Sequence, residues 1–147
     1  MSKLEADRVL GLERYDIKIL MVLLKCVEGR KDCFYWLLDN GYPELAAFSN
    51  AIRSDAEALV WLGKHGFRWL ALLECAIEGH QPACIWVGKN INGANLMFAM
   101  ACRDDYAAQL WLKNNNLDYF LMLAGKVSEV VKMVDAEQAG PYVWHNR

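Results

Sequence analysis

The sequence predicts an all-α fold, an α-solenoid of stacked antiparallel helix pairs with about five to six units. Three observations carry this. Trp36, Trp61, Trp86 and Trp111 stand 25 residues apart, each inside the same pattern of small, apolar and turn residues. A fixed period of this kind marks an array whose units are too small to hold a core alone. Apolar residues within each unit follow the i, i+3, i+4 spacing of a helix, and no segment shows the strict alternation of a half-buried strand.

In chain order, residues 1–25 read as an N-terminal capping unit, with Glu5, Asp7, Arg8, Glu13 and Arg14 around Leu4, Val9, Leu10 and Leu12. Leu12 holds the place that Leu37 holds later, and the run from Leu20 to Leu23 corresponds to that from Leu70 to Leu73. Full repeats follow over 26–50, 51–75, 76–100 and 101–125. In the second, Asp55 can cap a helix carrying Ala58, Leu59, Trp61 and Leu62. His65-Gly66 then closes it, because glycine reaches the left-handed conformation that ends a helix. Trp69 to Ile77 forms the second helix, apolar on most sides and therefore sandwiched between neighbours. Equivalent punctuation recurs at Asn40-Gly41, from Asn90 to Gly93 and from Asn114 to Asn116. Pro43 and Pro82 fall in first turns, where proline is tolerated. The tryptophans and the Ala58, Ala83, Ala108 position are expected in the core. Residues 126–136 read as a last outer helix. In the tail, 137–147, Tyr142, Val143 and Trp144 are expected to fold back as a cap, with a docking peptide for another protein as the alternative.

Composition narrows the function. The 147 residues are 55% hydrophobic and 12% aromatic, enough for a core. A net charge of −2 lacks the basic footprint of a nucleic-acid binder. The most apolar stretch, Ile17 to Val27, is interrupted by Lys18 and Lys25 and falls short of the roughly 20 residues a membrane span needs. The charged start, Met-Ser-Lys-Leu-Glu-Ala-Asp-Arg, has no apolar run with a cleavage site, so no secretory signal is expected and the cytoplasm is the expected location. Five cysteines, Cys26, Cys33, Cys75, Cys84 and Cys102, form no Cys-x-x-Cys, and they read as small buried hydrophobes.

No chemistry-bearing constellation emerges. His65, His80 and His145 are scattered, and His80 with Cys84 supplies only two metal ligands. Asp104-Asp105, Asp55, Glu57 and Glu78 read as caps and solvated surface. Phosphate loops, a nucleophile elbow and His-Glu-x-x-His are absent from the sequence. No cofactor, metal or enzymatic activity is expected.

The segments Glu28-Gly-Arg-Lys-Asp-Cys-Phe-Tyr-Trp-Leu-Leu-Asp-Asn-Gly41 and Glu78-Gly-His-Gln-Pro-Ala-Cys-Ile-Trp-Val87 resemble the ankyrin-repeat pattern of a Gly-His turn followed by an outer helix ending in Asn-Gly. The run Gly125-Lys-Val-Ser-Glu-Val-Val-Lys-Met-Val134 is similar, and its early arrival makes the preceding unit about four residues short. The resemblance spans roughly residues 16–134. Ankyrin units have about 33 residues and a Thr-Pro-Leu-His signature. These units have 25 and lack it, which implies an ankyrin-like array without the hairpin finger.

That resemblance implies protein binding through a concave face and its turns. The turn and the start of the second helix vary most between units, which selects Tyr42, Glu44, Phe67, Arg68, Trp69, Asp118 and Tyr119 as protein-contacting residues. Phe67, Arg68 and Trp69 are of the types enriched at interface hot spots. Lys25, Asn50, Glu74 and Met100 read as an inner-helix ladder, with Glu74 added to the contact set. The expected protein is a monomer or weak homo-oligomer binding one unidentified protein partner, as a scaffold, adaptor or inhibitor of the immunity type, without nucleic acid or membrane. A self-associating module is the alternative, and an enzyme subunit with an unobvious site a more remote one.

Overall fold

A computed structural model describes residues 9–139. The capping roles read for Leu4 and its neighbours, and for Tyr142, Val143 and Trp144, lie outside the described residues, as does His145. Among the described residues all regular structure is helical: a 3-10 turn at Leu12–Arg14 and nine α-helices. These are α1 (Ile17–Val27), α2 (Lys31–Asp39), α3 (Pro43–Ile52), α4 (Ala56–Lys64), α5 (Arg68–Ile77), α6 (Gln81–Asn90), α7 (Gly93–Ala101), α8 (Tyr106–Asn114) and α9 (Asp118–Ala139).

Consecutive helices pack on one another, and the odd-numbered helices also pack on the next odd-numbered helix: α1 on α3, α3 on α5, α5 on α7 and α7 on α9. The series does not stop there, because α9 returns to pack against α1. Lys126 on α9 lies 3.8 Å from Glu28 at the end of α1. Five inner helices therefore close into a ring, with α2, α4, α6 and α8 outside it.

The 25-residue period explains the core directly. Leu45, Leu70 and Phe120 are fully buried at equivalent places on inner helices, and one turn later so are Phe48, Leu73, Phe98 and Leu123. Each outer helix contributes Leu37, Leu62, Val87 or Leu112, all fully buried. Such residues are 25 apart because each unit presents the same stripe to its neighbours. Ala58, Ala83 and Ala108 are also buried, small side chains that let helices approach closely.

Two expectations are corrected here. The tryptophans are not core: Trp36 and Trp111 are 41% and 38% exposed, and Trp61 and Trp86 are half-buried. The leucine or valine that follows each one is turned about 100° further round the helix and takes the inward place. The tryptophans instead shape the helix ends. The side chains of Asn40, Asn90 and Asn115 donate to the carbonyls of Trp36, Trp86 and Trp111, and the His65 ring bonds the Trp61 carbonyl. The carbonyls of Trp36, Trp61 and Trp111 also accept the backbone N–H of the same capping residue, so each side chain adds a second bond to the last turn. Trp36 stacks over Tyr42 and Trp61 over Phe67, at 6.4 and 6.2 Å between ring centroids.

The second correction concerns residues 126–136. They are not a separate helix but the continuation of α9, which runs unbroken through Gly125. Earlier units turn at Gly29, Ser54, Gly79 and Asp104, all with positive φ. The residue at the corresponding place on α9 is Glu129, which is neither glycine nor one of the short polar residues that turn the chain at Ser54 and Asp104. The helix continues, and Val127, Val130 and Val134 extend its buried stripe.

Candidate functional site

At one end of the ring lie the first turns of α3, α5, α7 and α9. The segment Gly11 to Tyr15, which leads directly into α1, crosses this mouth and makes contacts with residues of α3, α5 and α7. Its short 3-10 turn is held by the Arg14 guanidinium, which donates to the carbonyls of Gly11 and Leu10. Leu12 is fully buried.

The contacts are individual. The Leu12 N–H donates to Asn95 Oδ1 at 3.1 Å, bridging residues far apart in the chain. Asn95 Nδ2 donates to both Glu13 oxygens at 3.1 and 3.2 Å, and Asn92 Nδ2 donates to Glu13 Oε2 at 2.9 Å. Asn92 also caps α7, accepting from the Asn95 N–H at 3.0 Å. The Glu13 carboxylate thus sits at a helix N-terminus, whose partial positive charge favours it. Arg14 lies over the Trp69 ring, 4.2 Å from its centroid, a cation–π contact. The Tyr15 hydroxyl donates to Glu44 at 2.8 Å, and its ring meets Tyr42 edge-on at 6.1 Å. Burial, then the bond to Glu44, raises the Tyr15 phenol well above its ordinary value. Burial, then the charge of Glu13, raises Tyr119.

The residues selected from sequence as partner contacts mostly gather at this mouth, but several are already engaged by the chain itself. Tyr42, Phe67, Trp69 and Tyr119 are half-buried, and Arg68 and Asp118 are exposed. Glu44 and Glu74 are buried, which removes them from any open surface. Glu74 lies near the opposite end of the ring, where burial, then the neighbouring Glu78 carboxylate, pushes its pKa up to about 8. It is also out of step with its supposed ladder. Strict 25-residue spacing places Cys75 between Asn50 and Met100, while Glu74 corresponds to buried Ser49. Among the described residues the inner helices form a closed series, with α9 packed on α1 rather than separated from it.

Sequence reasoning passed over a different surface. Tyr35, Val60, Ile85 and Leu110 occupy one place on α2, α4, α6 and α8, 25 residues apart, and are 59%, 55%, 56% and 44% exposed. Leu38, Tyr106, Trp36 and Trp111 add further exposed apolar area on the same outer helices. The ladder was readable from the repeat register, as four apolar residues that the buried stripe does not need. Between α2 and α4 a groove of about 300 Å³ is lined by Phe34, Leu38, Pro43, Ala46 and Trp61, among others.

Among the described residues, no group of three or more His, Cys, Asp or Glu side chains is placed to share a metal ion. His80 is exposed at the start of α6, while the Cys84 thiol is buried and directed at the Ala76 carbonyl, so the two do not converge. Cys26 and Cys102 are buried with raised pKa values, caused first by desolvation, and are poor nucleophiles. Asp105 caps α8 through the Ala108 N–H. Asp104 pairs with Lys132 and accepts from Ser128 at 2.8 Å, and these bonds hold its carboxyl below the usual range. No described helix is long and apolar enough to cross a membrane.

Comparison with protein families, with curated proteins and with solved structures finds no match to this chain in any of the three.

Proposed function

We propose that this protein is a binding module for another protein, an ankyrin-like array without the finger, and that its contact surface is the outer-helix face. The observation that carries this reading is the exposed ladder of Tyr35, Val60, Ile85 and Leu110. Packing within the array does not require apolar side chains there, yet all four units have one. Exposed apolar residues are ordinary when scattered singly; their recurrence at one register, with Trp36 and Trp111 beside them, supports an interaction surface. The scaffold, adaptor or inhibitor roles expected from sequence all need such a surface and no chemistry. The groove between α2 and α4 would seat a partner side chain.

The same ladder supports the alternative of self-association, because a second copy can cover an apolar face as well as a foreign protein can. One pair of variants addresses both. Val60→Glu with Ile85→Glu alters two exposed positions and is expected to leave the circular dichroism spectrum unchanged. It should abolish capture of a protein partner, whereas Arg68→Ala with Asp118→Ala should retain it. Light scattering across a concentration series identifies self-association as a mass that falls in the ladder variant alone. If a folded ladder variant retains both its captured partner and its mass, the outer face is not the contact surface.

A further inference from the structure

We propose that the mouth of the ring is a peptide-binding site, filled in this structure by the chain's own residues 11–15 acting as a built-in ligand. In their place it accepts a segment of the same chemistry from another protein: a glycine followed by aliphatic, acidic, cationic and aromatic side chains. This is separate from the outer-helix reading and does not depend on it.

The argument rests on where the mouth departs from its own repeat. At the register of Leu45, Leu70 and Phe120, α7 carries Asn95, which is fully buried. The stack is built with an apolar residue at that place in its other units, so packing does not call for an amide. Asn95 accepts from the Leu12 N–H and donates to Glu13, besides a bond to Asn92 Oδ1 at 2.9 Å at its own helix end. Asn92 departs in parallel: its equivalents are Tyr42, Phe67 and Leu117, and it too donates to Glu13. Two departures in one turn of one helix both serve the inserted segment.

Every position of the segment is recognised differently. A Cβ on Gly11 would stand 2.4 Å from the Asn95 side chain, so the first position admits only glycine without rearrangement. Leu12 is enclosed, Glu13 meets two amides, Arg14 meets an indole face, and Tyr15 meets a carboxylate. A lid serving only to cover apolar helix ends would need apolar area alone. Here one backbone N–H and three charged or polar side chains each find a specific counterpart, as in peptide recognition. Among the described residues the segment is short and continues into the ring through Asp16 and α1, so its departure breaks none of the helix-on-helix contacts that close the ring.

The test uses the full chain and a fluorescein-labelled synthetic octapeptide of residues 9–16. A variant with Leu12→Ser and Tyr15→Ala weakens the resident segment and leaves the mouth intact. The variant should bind the octapeptide saturably in an anisotropy titration, at least tenfold more tightly than wild type, whose own segment competes. Adding Asn95→Leu should abolish that binding, and a scrambled octapeptide should not bind. Equal binding to wild type and variant, binding that survives Asn95→Leu, or no binding to a variant that circular dichroism shows to be folded would each overturn the proposal. If the variant does not fold, hydrogen exchange on wild type decides: the Leu12 and Tyr15 amides should exchange at least a hundredfold faster than those of Phe48 and Leu73. Exchange at the same rate would make the segment part of the core and overturn the proposal.

Discussion

The two ends of the ring are closed by different means. At the mouth a single segment reaches across three helices, and its bonds to α7 join residues more than eighty positions apart. At the other end each turn is tied mainly to its neighbour. Arg53 donates to the Val27 carbonyl at 2.9 Å and lies over Gly29, and Arg103 lies over Gly79. The turn sequences alternate: Glu-Gly at 28–29 and 78–79, Arg-Ser at 53–54 and Arg-Asp at 103–104. The arginine of one turn occupies space that the glycine of the previous turn leaves open. Local stitching of this kind repeats with the array, whereas the mouth depends on a contact made once.

The largest effect should come from the mouth. Leu12→Ala removes most of a fully buried side chain from a place with no equivalent support. It should lower unfolding free energy in urea by about 2–5 kcal/mol. A loss below about 1 kcal/mol would mean that the mouth collapses readily and that the contrast between the ends is overstated.

A change of opposite sign is expected near the stitched end. The Glu74 carboxyl has an ordinary value of 4.5 and is raised to about 8 in the fold by burial and by Glu78. Between these values the folded chain holds a proton that the unfolded chain has lost. Stability from this group is therefore complete below about pH 4.5, declines as pH rises, and levels off above about 8. Glu74→Gln should remove that slope and leave the protein more stable than wild type at pH 8 in urea unfolding, with little difference at pH 4.5. Parallel pH profiles for the two proteins would show that Glu74 is not the source.

The smallest effect sharpens the stitching itself. Gly29 and Gly79 both have positive φ, so alanine at either costs about 1–2 kcal/mol in backbone strain. At Gly79 the new Cβ also stands 2.5 Å from Arg103 Nη1, whereas at Gly29 the nearest Arg53 atom is at 3.6 Å. Gly79→Ala should therefore lower the melting temperature slightly more than Gly29→Ala, and Arg103→Ala in the Gly79→Ala background should remove the difference.

The sequence announced the helix pairs because each unit repeats the same packing problem, and Leu37, Leu62, Val87 and Leu112 solve it at the same spacing. It misled over the tryptophans because an outer helix is covered on one side only, so of the apolar neighbours at i and i+1 just one takes the fully buried place, and local pattern alone does not say which. Residues 126–136 read as a separate helix, but a break needs a residue that tolerates the turn, and Glu129, in register with Ser54 and Asp104, does not supply one. Ring closure was not legible at all, since it is the sum of small rotations over five units and no residue encodes it. The mouth was half legible. Tyr42, Trp69 and Tyr119 were found as variable positions, but their occupant was the chain itself. Asn95 could have been found by reading down its register, where an amide stands among Leu45, Leu70 and Phe120.

The return of α9 to α1 alters what growth can mean for this architecture. A linear array lengthens by adding a unit at either end, and its middle is undisturbed. A circular one has no free edge to extend, so one more helix pair would have to open every existing joint by a small angle. Its circumference is set as strictly as that of a closed barrel. The adjacency of α1 and α9 also loosens chain order: a permuted version cut between Lys64 and Phe67 would keep every helix neighbour, provided the new join runs the length of α9, which begins at the mouth and ends at the opposite end of the ring.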